Sequence, residues 1–170
     1  MQSGLTMNAI ELLKQQHDEV DDLIETIEKA ANAKAKEAAF FELADKLAAH
    51  AKIEETIFYP AVMAKQTEDN LLESVQEHLQ IKRVLADMLD LEVDDDQFDS
   101  KLSVRKEEIE HHAREEEEKE LFPRVKKLLS AEELAGLGNE MMAMFETLLV
   151  GSPRDSVPAE TSKAASLPSP

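Results

Sequence analysis

His50-Ala51-Lys52-Ile53-Glu54-Glu55-Thr56-Ile57-Phe58-Tyr59-Pro60 decides the fold, because a distorted second copy, His112-Ala113-Arg114-Glu115-Glu116-Glu117-Glu118-Lys119-Glu120-Leu121-Phe122-Pro123, follows further along. Each copy puts an imidazole and a carboxylate on one side of a helix. At about 100° and 1.5 Å per residue, positions four apart lie roughly 40° apart around the axis and about 6 Å apart along it, so both side chains reach one inward point. That is ligand geometry for a cation held between helices. It requires other helices to enclose the point and other side chains to complete the shell.

Composition agrees with a helical enclosure. The 170 residues are enough for one domain with a substantial core. Hydrophobic residues make up 42% and charged residues 33%, whereas aromatics are only 4% and glycine is sparse, the profile of a soluble helical protein. A formal net charge of −18 repels phosphate backbones and anionic lipid, which argues against nucleic-acid and membrane partners. With no cysteine, disulfides, thiolate catalysis and sulfur-ligated metals are excluded, so any transition metal must use nitrogen and oxygen. No apolar run is long enough to span a bilayer and the N-terminus lacks a basic then apolar leader pattern, so a cytoplasmic location is expected.

The periodicity predicts four long helices. An Asn8-x-x-Glu11 box opens the first, which runs to about Ala31 with the stripe Ile10, Leu13, His17, Val20, Ile24, Ile27. The second, about Lys34 to Lys65, carries Phe40, Leu43, Leu47, His50, Glu54, Ile57 and Ala61, and Pro60 is expected to kink its last turn. The third, about Glu68 to Leu91, buries Leu71, Val75, His78, Ile81, Leu85 and Met88. Asp94, Asp95 and Asp96 can cap the fourth, about Gln97 to Leu129, whose Phe98, Leu102, Ile109 and His112 share one phase while Leu121, Val125 and Leu128 share another.

That phase slip has a local cause. Glu54 and Glu117 each stand six residues before a proline, Pro60 and Pro123, but His50 stands ten before its proline and His112 eleven before its own. One extra residue has entered the second copy, and a π-bulge in the fourth helix would absorb it. The carboxylate partner of His112 is then Glu116 at i+4 or Glu117 at i+5. A capping box, Ser130 with Glu133, opens a short fifth helix with Leu134, Leu137, Met141, Met144 and Leu148, weakened by Gly136 and Gly138. From Gly151 the chain turns to Ser, Pro, Ala and Thr without periodicity, which predicts a disordered tail over 151–170 behind a domain of 1–150.

Four helices joined by short breaks predict an all-α, antiparallel up-down-up-down four-helix bundle. In it His17, His50, His78 and His112 come from four helices, each near mid-length, and alternating directions bring them to one level. A lone histidine on an apolar stripe is ordinarily a satisfied core residue. Four at one level beside buried carboxylates are not, because an unpaired buried carboxylate costs several kcal/mol. Most of Glu115 to Glu118 reads as a solvated face, His111 as exposed or beside the ligands, and Tyr59 as structural.

The order His17, His50-x3-Glu54, His78, His112-x3/4-Glu, followed by Phe58-Tyr59-Pro60 and Leu121-Phe122-Pro123, resembles the hemerythrin-like HHE cation-binding family over most of the chain. The resemblance implies a non-haem di-iron centre with an oxo or hydroxo bridge, in which His17, His50, His78 and His112 are terminal ligands and Glu54 with Glu116 or Glu117 bridges. The same ligands suit manganese or zinc. A single Glu-x-x-His, Glu108 to His111, argues against a ferritin-like site, which needs one from each of two helices. Oxygen-carrying hemerythrins have a second third-helix histidine and a fourth-helix aspartate, whereas this chain has Ser74 and Lys82 four residues either side of His78 and a glutamate. Two octahedral irons offer about twelve positions and the implied ligands fill about ten, leaving about two. The expected role is therefore to bind or process a small oxidant, hydrogen peroxide, nitric oxide or dioxygen, with catalase-like turnover as its enzymatic form. Sensing, or iron binding and storage without turnover, is the other class. A monomer or small homo-oligomer is expected.

Overall fold

The computed structural model describes residues 7–170, so the start of the expected domain at Met1 lies outside the described residues. All regular structure among the described residues is helical. Helix α1 (Ala9–Glu28) begins where expected: the Asn8 side chain accepts from the Glu11 backbone N–H at 2.9 Å and its amide reaches the Glu11 carboxylate at 2.6 Å. Helix α2 (Ala33–Ile53) continues through a π-helical turn, π1 (Glu54–Phe58), into α3 (Tyr59–Val62). Helix α4 (Glu68–Leu89) follows. Helix α5 (Asp96–Glu110), capped by the Asp95 side chain, continues through a longer π segment, π2 (His111–Leu121), into α6 (Phe122–Leu128).

The bulge expected in the fourth rod is thus present, and the second rod has one too. In both, the carbonyl of the glutamate six residues before the proline accepts from the N–H of the residue before that proline: Glu54 from Tyr59, and Glu117 from Phe122. A proline ring collides with the carbonyl four residues back in an α-helix, and a widened turn makes room for it. Pro60 therefore widens the helix instead of ending it.

Two apolar clusters form the core. One holds Leu13, Ile53, Phe58, Leu71, Val75 and Phe122, the other Val20, Phe40, Leu43, Leu85, Phe98 and Ile109. On every rod the buried histidine falls between a residue of the first cluster and a residue of the second: His17 between Leu13 and Val20, His78 between Val75 and Leu85. The histidines form a polar layer across the middle of the core.

Helix α7 (Ala131–Val150) starts at the expected Ser130–Glu133 capping box and packs on α1 and α2. Its two glycines differ. A Cβ on Gly138 would lie 2.8 Å from the Asn8 carbonyl carbon and 2.9 Å from the Ala9 nitrogen, whereas one on Gly136 would meet nothing within 4 Å. Gly138→Ala should therefore lower stability by about 1–3 kcal/mol through backbone displacement, and Gly136→Ala should raise it by about 1 kcal/mol through helix propensity. Thermal melts of the two variants check this, and melting shifts of the same sign would contradict the close approach.

The tail departs from expectation. Pro153–Glu160 forms a 3-10 helix against α2 and α4, with Pro153 and Val157 buried. Aperiodic sequence hid it because side-chain tethers hold it: the Arg154 guanidinium pairs with Asp45 at 2.7 Å and lies over the Phe41 ring, Arg83 Nε donates to the Thr161 carbonyl at 2.9 Å, and Glu160 pairs with Lys52 at 2.7 Å. Pro153 and Pro158 lower the entropy lost in ordering it.

Candidate metal centre

Each buried histidine is held from outside by one acceptor on its Nδ1. The partners are Glu118 for His17 at 2.7 Å, Gln16 for His50 at 2.6 Å, Glu55 for His78 at 2.8 Å and Glu77 for His112 at 2.8 Å. Carboxylate and amide oxygens only accept, so Nδ1 carries a proton and the Nε2 of each ring faces inward, where it offers a lone pair whenever the ring is neutral. The outer partners are themselves anchored. Arg114 pairs with Glu118 at 2.6 Å, and Lys82 reaches Glu55 at 2.9 Å.

Inside the layer the Nε2 atoms face two further carboxylates. Glu54 Oε1 lies 3.1 Å from His50 Nε2 and 3.2 Å from His78 Nε2, and Glu117 Oε1 lies 3.1 Å from His17 Nε2 and 3.5 Å from His112 Nε2. Both glutamates have zero exposure, and neither oxygen of Glu54 has a hydrogen-bond donor. A fully buried carboxylate without a donor is costly unless a cation sits beside it. Two sets of side chains could each hold a metal ion, His17 with His50, Glu54 and Glu117, and His78 with His112 and Glu54. They share Glu54.

The cluster's titration shows what a cation would replace. Burial opposes the charge on Glu54, but the charge of His50 and the neighbouring Glu117, His50 and His78 groups together outweigh it and hold the carboxylate well below its ordinary range. Burial and the charge of Glu54 push Glu117 up to about 7. Burial lowers His17, yet the hydrogen bond and charge of Glu117 outweigh it and raise the ring to about 9. His78 likewise rises to about 10 through Glu54 and Glu55, while burial takes His112 down to about 4. Protons on His17 and His78 thus neutralise the carboxylates, and a metal must displace them.

Residues 8–125 match the family model described as the hemerythrin HHE cation binding domain. The chain belongs to this family. A crystal structure of a hemerythrin HHE cation-binding domain-containing protein from Mycobacterium kansasii is similar in fold, with a TM-score of 0.75 and 28% identity over 91% of this chain and 94% of that one. No curated protein matches the chain significantly.

Within this HHE domain, His17, His50, Glu54, His78, His112 and Glu117 converge, and Glu116 does not. Its carboxylate turns to His111 Nε2 at 3.0 Å, and burial and the neighbouring Glu77 push it up to about 7. His111 is exposed, and with Glu77 and Glu116 it forms a separate group at the edge of the layer. Neither position flanking His78 supplies a ligand. Ser74 is buried near Tyr59, and Lys82 turns to Glu55 and Glu160.

Tyr59 was expected to be structural, but its hydroxyl lies 2.9 Å from Glu117 Oε2 and 3.3 Å from His78 Nε2. Burial and the charges of Glu117 and Glu54 push its ionisation well above the phenol range, so it remains a proton donor. The outer acceptors also escaped the sequence reading, although their pattern repeats. The residue before the first and third histidines, Gln16 and Glu77, holds His50 and His112 on the next rod. The residue after each converging carboxylate, Glu55 and Glu118, holds His78 and His17.

A cavity of about 40 Å³ is lined by His50, His78 and His112 together with Ile81, Leu85 and Val157. That is room for a molecule of a few atoms.

Proposed function

We propose that this HHE domain holds two non-haem iron ions and binds or processes a small oxidant, hydrogen peroxide, nitric oxide or dioxygen. In this reading the rods form an antiparallel up-down-up-down bundle, His17 and His50 serve one iron, His78 and His112 the other, and Glu54 and Glu117 bridge the pair. The observation that carries it is Glu54, fully buried, without a donor, and within 3.2 Å of two inward imidazole nitrogens.

Iron would supply reversible electron transfer and open positions for a small ligand. The chain supplies the rest. Outer acceptors on each Nδ1 fix the ring orientations and raise the basicity of each Nε2. The Tyr59 hydroxyl keeps a proton at Glu117 Oε2, beside the bridging position. The small, mostly apolar cavity excludes bulk water and larger substrates. Catalase-like turnover is the enzymatic form. Iron binding or sensing without turnover is the second reading, favoured by the link from His78 through Glu55 and Lys82 to Glu160 of the C-terminal segment.

Metal analysis and an optical spectrum of the purified chain, before and after peroxide, test the proposal. About two irons per chain and near-ultraviolet bands that change with peroxide are expected. Less than one metal per chain and an unchanged spectrum after anaerobic iron loading would sink it. With iron present, oxygen evolution from peroxide separates turnover from sensing or storage.

A further inference from the structure

The family match ends at residue 125, yet one wall of the cavity beside the histidine rings comes from beyond it. Val157, in the 3-10 segment, is 2% exposed and lines the cavity together with His50, His78 and His112. The segment is held at both ends. Near its start, Arg154 meets Asp45 through its backbone N–H at 3.0 Å and its guanidinium at 2.7 Å. At its end, Glu160 meets Lys52 at 2.7 Å and Lys82 at 3.5 Å, and Lys82 also grips Glu55, which holds His78.

The geometry points to Val157 as the residue that sets which molecules reach the metal pair and how fast, with Pro153–Glu160 acting as a plug. The assignment rests on the small-ligand reading above and adds its size filter. An aliphatic side chain of two methyl groups forms part of the wall of a space near 40 Å³, which admits ligands of two or three heavy atoms, peroxide among them, and refuses anything branched. Opening requires the segment to lift, and its far end is held by the partly exposed Glu160 pairs, which are weaker than buried contacts and screened by salt. The plug is therefore retained electrostatically and sized by an apolar residue.

Four proteins test it: the full chain, Val157→Ala, Val157→Phe and Glu160→Gln. Crystals of each under xenon pressure, whatever their metal content, report the cavity alone. A xenon site against Val157 and the histidine rings is expected in the full chain and in Val157→Ala, and its loss in Val157→Phe, whose ring fills the space. Stopped-flow azide binding to the iron-loaded proteins reports access. Association should slow by about tenfold in Val157→Phe and quicken by about tenfold in Val157→Ala and Glu160→Gln, at equal metal content. If the phenylalanine variant does not fold, Val157→Ala and Glu160→Gln carry the test alone. Azide rates within about twofold across the folded variants, or no xenon site in the full chain, overturn the plug. A chain that takes up xenon as expected but binds no iron refutes the di-iron reading and leaves the cavity wall standing.

Discussion

Glu117→Gln is expected to take the metal content of the chain from about two ions to below one, whereas Glu116→Gln leaves it unchanged. The two residues are adjacent and chemically identical, so composition and net charge change equally. Only geometry separates them. Glu117 is fully buried, 3.1 Å from His17 and 3.5 Å from His112, while Glu116 is turned to the exposed His111. Glutamine keeps the shape but removes the charge and one coordinating oxygen. Glu118→Gln should fall between them. It loosens the grip on His17 Nδ1 without removing a converging group, a change worth about 10–100-fold in metal affinity. Chelator competition with metal analysis measures all three. Metal retained in Glu117→Gln but lost in Glu116→Gln would mean that the π segment is out of register by one residue.

That register marks where sequence reading stops. The stripes of α1 and α4 locate His17 and His78 because a regular 3.6-residue period carries their phase from end to end. The proline offset of the two copies exposes an inserted residue, but counting cannot decide whether His112 pairs across four residues or five. The answer depends on where the helix widens, and π2 spans both candidates. Tyr59 escaped for a related reason. In a plain α-helix, five residues after Glu54 is 500°, well off the ligand face, whereas the wide turn of π1 brings it back to Glu117. Gln16, Glu55, Glu77 and Glu118 each adjoin a converging residue, where an acidic or amide neighbour reads as solvated surface until the facing rod is in place. The C-terminal segment has no period to read. Its position follows from partners far away in the chain, Asp45, Lys52 and Lys82.

Removing the metal is expected to lower the melting temperature by about 8–16 °C at neutral pH, and the gap should widen as pH rises from about 6.5 to 9. Tight binding contributes about 4 kcal/mol when metal exceeds its dissociation constant a thousandfold, and a chain of this size shifts by about 2–4 °C per kcal/mol. The pH dependence comes from His17 and His78, raised to about 9 and about 10 by the carboxylates they face. In the metal-free chain a raised imidazole contributes stability that is fully present below its unfolded value near 6.5 and is lost as pH climbs through the folded one. The metal-free form therefore weakens over this window. The loaded form holds level over the same window, because above about 6.5 neither the unfolded chain nor the metal-bound chain carries these protons, and metal binding tightens only by as much as the metal-free fold weakens. Melts of chelator-treated and iron-loaded protein across this window measure the gap. If chelation leaves the melting temperature unchanged, the four histidines are core residues satisfied by their carboxylates. If the gap shrinks as pH rises, the protons do not sit where the metal binds.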